Sequence, residues 1–157
     1  MHCPEVPNNP APSTHLEKGC IHWFDSKPEY EDISSQKARP YIIIGRNNYK
    51  SARAMVAPLS DIEEYQKMGQ LKYPYHAPLY VEDYSFLDKD SAVLLDQIYT
   101  IPKKELWQSW YIGKVENLRK IDMSLCYNFD LFETISFTSK KFIEEIEQWH
   151  KDKYSRR

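Results

Sequence analysis

Residues 37–60 read KARPYIIIGRNNYKSARAMVAPLS, and they constrain the fold more than any other part of the chain. They hold two apolar runs, 41–45 and 54–59, each short, bulky or β-branched, and bounded by turn formers. That pattern predicts two buried strands joined through Asn47 and Asn48. In an antiparallel pair, the start of one strand lies beside the end of the other. Arg39 sits at the mouth of the first run and Ser60 at the exit of the second, so the two would meet at one rim of a small sheet. A fixed planar cation beside a hydroxyl suits a phosphate ligand.

A chain of 157 residues makes one ordinary domain with enough length to bury a core. The 21 basic residues against 23 acidic ones exclude a globally cationic surface, so nucleic-acid binding would need a local patch. With 12 Tyr and 4 Trp, aromatic packing is expected first and base stacking on exposed rings second. Cys3, Cys20 and Cys126 are odd in number and lack CxxC spacing, which argues against a disulfide framework or a zinc site. The N-terminal stretch has no apolar core of a signal peptide, and no run approaches the ~20 apolar residues needed to cross a bilayer. The default expectation is a soluble, reducing, cytoplasmic setting without a membrane role.

Along the chain, residues 1–18 are rich in Pro, Asn, Ser and Thr and are expected to be disordered or loosely draped. Residues 20–24 form the first strand, and the polar stretch 26–37 a long loop of the kind that often carries function. Asp61 is placed to cap a short helix over 61–68 that Gly69 ends. Pro74 and Pro78 make 74–78 irregular, with a brief strand at 79–81. Val93, Leu94 and Leu95 lie in a strand over 91–101 that Pro102 stops. Apolar stripes then predict helices over 116–129 and, from a capping Ser139, over 139–153. The expected organisation is a leader (1–18), a barrel domain (19–135) and a helical extension (136–157).

Several segments resemble the MazF/PemK toxins. Gly19-Cys20-Ile21-His22-Trp23-Phe24-Asp25 is similar to their glycine-led first strand, and Arg39-Pro40 to their Arg-Pro signature. Ala57-Pro58-Leu59-Ser60 resembles their Pro-Leu-Thr segment. The run from Ser91 through Val93-Leu94-Leu95-Asp96-Gln97-Ile98-Tyr99 to Ile101 is close to their last core strand, and Gly113-Lys114-Val115 precedes a closing helix as in the family. The resemblance covers residues 19–131 in the family's order. It implies a mainly β fold with appended helices (α+β), built on a small antiparallel SH3-like barrel.

The resemblance also implies a toxin that cuts single-stranded RNA, mRNA above all. The ribose 2′-OH attacks the adjacent phosphate and leaves a 2′,3′-cyclic phosphate and a 5′-OH. Such chemistry needs a proton acceptor, a holder of phosphoryl charge and a proton donor, and no metal or cofactor. Arg39 matches the family's catalytic arginine; always charged and fork-shaped, it suits the oxyanion. Ser60 stands where the family has threonine, keeping the hydroxyl but losing the methyl that fixes the rotamer. Its competing role is to cap the following helix.

For RNA contacts the candidates are Gln36, Lys37, Arg46, Lys50, Arg53, His76 and Gln97. Gln36 resembles the polar residue ahead of Arg-Pro, one residue closer than usual. Lys37, Arg46, Lys50 and Arg53 would form a basic patch around the strand pair, against the alternative of a merely wet face. His76 has the best general-base chemistry in the chain, against that of a solvated loop histidine. Gln97 fits a strand or interface position better than a base reader. Tyr99 replaces a family arginine and offers a ring in place of a charge. His22 is expected to be structural or at the surface.

The resemblance further implies a homodimer, RNA along its interface, and a cognate antitoxin whose disordered tail folds onto that groove. Two other readings use the same barrel: a non-catalytic module that binds nucleic acid or protein, and a toxin that poisons a DNA topoisomerase.

Overall fold

In a computed structural model of the chain, residues 9–25 and 38–155 are described. The strands are β1 (Cys20–Asp25), β2 (Ala38–Ile43), β3 (Arg53–Asp61), β4 (Gln66–Lys67), β5 (Gln70–Leu71), β6 (His76–Leu79), β7 (Ser91–Leu94), β8 (Tyr99–Pro102) and β9 (Tyr111–Lys114). Two helices follow, α1 (Arg119–Asn128) and α2 (Phe132–Ser155). One curled antiparallel sheet runs in the order β6-β7-β3-β2-β1-β9, with β8 also on β3. The fold is mainly β with two appended helices.

Residues 37–60 fold largely as their pattern requires. Tyr41, Ile42 and Ile43 pair with Pro58, Ala57 and Val56. Alternation then sends side chains to two apolar layers. Ile42, Ala57 and Leu59 join Ile21, Val93 and Ile121 on one side. Tyr41, Ile43 and Val56 join Phe24, Ile101 and Leu106 on the other. With apolar side chains on both faces, β2 and β3 read as continuous apolar runs.

The expected strand over 91–101 is interrupted. Leu59 pairs with Val93 on β7, whereas Val56 pairs with Tyr99 on β8. Three steps along β3 are matched by six on the other side, so the extra residues loop out. A backbone hydrogen bond from Gln97 to Leu94 O (3.1 Å) closes the turn.

Residues 61–68 do not form a helical segment as expected. A single 3-10 turn, Ile62–Glu64, leads into the small β4–β5 hairpin. Met68 and Gly69, both at positive φ, make its two-residue turn, the conformation that matches strand twist. His76 and Pro78 lie in β6 rather than in an irregular loop. Proline is tolerated there because β6 is the sheet's edge, with a neighbour on one side alone.

The described part of the leader is packed against the body. Ala11 donates to Leu106 O (2.8 Å), Gln108 donates to Asn9 O (2.7 Å), and Leu16 is buried. His15 stacks on Tyr111 with ring centroids 3.8 Å apart. Gly19 follows at φ +98°, its carbonyl accepting from Val115 N (2.9 Å).

Helix α1 starts at Arg119, later than the apolar stripe suggested, after Asn117 Oδ1 accepts from Arg119 N (3.2 Å). It buries Ile121 and Ser124, and the Ser124 hydroxyl donates to His76 O (3.1 Å) on β6. Asp130 at φ +55° and a bond from Leu131 N to Cys126 O (2.9 Å) end α1, and α2 begins at Phe132. Ser139 therefore sits inside α2 and does not cap it. Among the described residues, no helix is long and apolar enough to cross a membrane.

Candidate active site

The paired rungs of β2 and β3 end at Tyr41↔Pro58. Arg39 and Ser60 each lie two residues beyond that last rung, at the same end of the strand pair, and both are half-buried. The other edge of β2 holds Phe24 of β1 beside Arg39, and the other edge of β3 holds Ala92 of β7 beside Ser60. Arg39 and Ser60 are thus each paired across one edge of their own strand.

A cleft of about 400 Å³ opens at this end of the sheet. Ser60, Trp23, Pro40, Leu87 and Ile112 help to line it; Arg39 is not among its lining residues, and strand alternation sends its side chain to the face opposite Pro40. The cleft also takes in Asp61, Glu64, Asp88 and Lys89, residues that sequence reasoning had given no functional role. Their signal, an acidic turn followed at a distance by Asp-Lys-Asp, looks like any solvated loop.

The competition over Ser60 is resolved by Asp61. Asp61 Oδ1 accepts from Glu63 N (3.1 Å) and so caps the turn, which leaves the Ser60 hydroxyl outside that role. Lys89 Nζ reaches Asp61 Oδ2 at 3.2 Å. The bond from the Glu63 backbone, with Lys89 beside it, holds the Asp61 carboxyl below its usual range. Asp61 is therefore ionised but partly neutralised next to Ser60.

The other candidates fall in different places. Gln36 and Lys37 lie outside the described residues. Arg46 and Lys50 are exposed in the loop between β2 and β3, and Arg53 starts β3. From Arg53 to Ser60 is seven residues of strand, roughly 23 Å at ~3.3 Å per residue. The structure therefore does not gather Arg46, Lys50 and Arg53 beside Arg39. Arg53 is also committed locally, donating to Thr100 Oγ1 (3.0 Å) and Thr100 O (2.6 Å).

His76 is not a solvated loop residue. It is buried on β6 against the rings of Tyr65, Tyr73 and Tyr75. Its Nε2 is 3.3 Å from Asp96 Oδ1, and its buried Nδ1 has no partner among the described residues. Burial lowers its pKa below the usual histidine value, against the opposing pull of Asp96. It borders a separate groove of about 500 Å³ with Tyr127 and Phe132. Gln97 is half-buried in the turn between β7 and β8, and Tyr99 packs against the second apolar layer.

His22 is structural rather than at the surface. Its Nε2 donates to His15 O (2.5 Å), and its buried Nδ1 has no partner among the described residues. Burial lowers its pKa to about 4, because a second ring proton would have nowhere to go.

Comparison with known proteins agrees with this architecture. Residues 17–128 match the model of the PemK-like, MazF-like toxins of type II toxin–antitoxin systems. The chain is 28% identical over 112 residues to the endoribonuclease MazF of Staphylococcus epidermidis, spanning 70% of this chain and 88% of that protein. Its fold resembles a mycobacterial endoribonuclease solved in complex with its cognate antitoxin, with a TM-score of 0.54 and 22% identity over 73% of this chain and 95% of that one. It also resembles an endoribonuclease from a mycobacterial species, with a TM-score of 0.51 and 20% identity over 80% of this chain and 96% of that one. With a curled antiparallel sheet and an Arg-Pro strand facing a Pro-Leu-Ser strand, the chain belongs to the PemK-like, MazF-like toxins of type II toxin–antitoxin systems, the MazF endoribonuclease family.

Proposed function

We propose that this toxin cuts single-stranded RNA, mRNA in the cell, by attack of a ribose 2′-OH on the adjacent phosphate. The 2′-oxygen bonds to phosphorus, the P–O5′ bond breaks, and the products end in a 2′,3′-cyclic phosphate and a 5′-OH. The nucleophile belongs to the substrate, so holding the strand in line supplies much of the rate. The observation that supports the reading is that Arg39 and Ser60 both lie two residues beyond the Tyr41↔Pro58 rung, at the same end of the β2–β3 pair.

Arg39 meets the charge that builds on the phosphoryl oxygens, its fork fitting two of them. The Ser60 hydroxyl donates to the same phosphate. Lys89 supports both by offsetting the charge of Asp61, which would otherwise repel an anion at Ser60. His76 is left out of the chemistry, because it is buried at a different groove. Arg46 and Lys50 hold the flank of the strand by long-range attraction. The active species is a homodimer, silenced by a cognate antitoxin whose flexible segment folds onto the RNA-binding face.

The test is cleavage of single-stranded RNA in EDTA, with the product ends identified. Cyclic phosphate and 5′-OH ends, lost in Arg39→Ala, support the reading. Binding without cleavage, or 5′-phosphate ends, contradicts it.

A further inference from the structure

We propose that α2 is a self-association helix, pairing antiparallel with α2 of a second copy of this chain. Helix α2 has 24 residues, about 36 Å at ~1.5 Å per residue, and lies beyond the residues that match the toxin family. All its side chains through Lys153 are exposed. Yet it carries Phe142, Ile143, Ile146 and Trp149 at 62%, 55%, 43% and 56% exposure. A helix rich in Ser, Thr and aromatic residues gains most of its stability from packing, and among the described residues nothing buries this one.

The spacing identifies what covers it. Ile135, Ser139, Phe142, Ile146, Trp149 and Lys153 follow at alternating steps of four and three, the seam of a helix that pairs with another helix. Ile143 widens the seam. In an antiparallel pair centred between Phe142 and Ile146, Trp149 lies opposite Ser139, large against small. Phe142 lies opposite Ile146, and Lys153 opposite Ile135, with the Lys153 ammonium free to stay over Trp149 as it does here, at 4.8 Å. A parallel pair would set Trp149 against Trp149 and Lys153 against Lys153.

Charge points the same way. Residues 132–141 hold Glu133 against Lys140 and Lys141, whereas 142–153 hold Glu144, Glu145, Glu147 and Asp152 against Lys151 and Lys153. In that register Lys141 falls level with Glu147 of the second copy, and antiparallel packing opposes the two helix dipoles. The proposal is independent of the ribonuclease chemistry, because its test reads mass and not cleavage.

The test is a dilution series of the full chain in the analytical ultracentrifuge, wild type against Phe142→Glu/Ile146→Glu. The variant is expected to dissociate at a concentration at least tenfold higher, with reduced helical signal. Body unfolding should stay unchanged, since these side chains are exposed. For orientation, Ser139→Cys mixed with Trp149→Cys should give a 139–149 disulfide between chains on oxidation, located by peptide mapping, and Ser139→Cys alone no 139–139 disulfide. An unchanged dissociation profile overturns self-pairing, including the case in which α2 is protected by adding antitoxin instead. A 139–139 disulfide overturns the antiparallel arrangement.

Discussion

Tyr41 pairs with Pro58 at the last rung of the β2–β3 ladder, and Arg39 and Ser60 each lie two residues beyond it at the same end. Each belongs to a strand with a paired neighbour on its far edge, β1 beside β2 and β7 beside β3. The backbone at each residue is thus anchored by a neighbouring strand. A phosphate resting between them meets preplaced donors, which is how electrostatic stabilisation gains its effect.

Ser60 variants separate hydroxyl from rotamer. Ser60→Ala removes one hydrogen bond to a charged oxygen and should slow cleavage about 10–100-fold, following the ~1.5–3 kcal/mol of a charge-assisted bond. Ser60→Thr keeps the hydroxyl and adds the methyl that stiffens χ1, so the rate should hold or rise. Single-turnover rates on one RNA distinguish the two.

Arg46 and Lys50 lie at the far end of the strand pair from Ser60. The double variant Arg46→Ala/Lys50→Ala should leave the single-turnover rate at saturating RNA unchanged and weaken binding. The slope of log K against log salt should fall by about 1.4, at ~0.7 per cation on a single strand. An unchanged slope would remove both residues from the RNA path.

His22 makes stability depend on pH. Its folded pKa, about 4, lies below the ordinary value of 6.5, so the unfolded chain binds a proton that the folded chain refuses. Its contribution is complete above about pH 6.5 and is lost as pH falls towards 4, in total roughly 3 kcal/mol at ~1.4 kcal/mol per pH unit. His76, shifted in the same direction, adds to the loss below 6.5. Urea unfolding of wild type should weaken steadily across that window, and His22→Gln should flatten the slope.

Gly19 tolerates a side chain poorly, on grounds of both backbone and space. At φ +98° an added Cβ would stand 2.5 Å from Val115 O, whose neighbouring amide donates to Gly19 O. Gly19→Ala should cost about 1–3 kcal/mol or more through backbone strain and contact. A shift in the urea midpoint without a change in m checks this.

The strands at 20–24, 41–43 and 54–59 were legible because their apolar runs are bounded by turn formers and each has apolar layers on both sides. The antiparallel pairing of 41–43 with 56–58 puts Arg39 and Ser60 at the same end of the strand pair. Three features escaped for physical reasons. The bulge at Asp96 and Gln97 depends on the two-sided pairing of β3, which no local run encodes. The burial of His76 depends on three tyrosines and an edge strand that accepts Pro78. The early start of α2 depends on Asp130 taking a positive φ, which asparagine and aspartate do more readily than other side chains but which sequence does not require. Lys89 went unnoticed because its role comes from Asp61, 28 residues away in sequence.

The most direct test of the central claim is a double-mutant cycle on single-turnover RNA cleavage in EDTA, with wild type, Arg39→Ala, Ser60→Ala and the double variant. Arg39→Ala should lose about 10²–10³-fold. If both groups hold one phosphate, the double variant should lose much less than the product of the single losses. Fully multiplicative losses, or an Arg39→Ala variant as fast as wild type, would contradict the account.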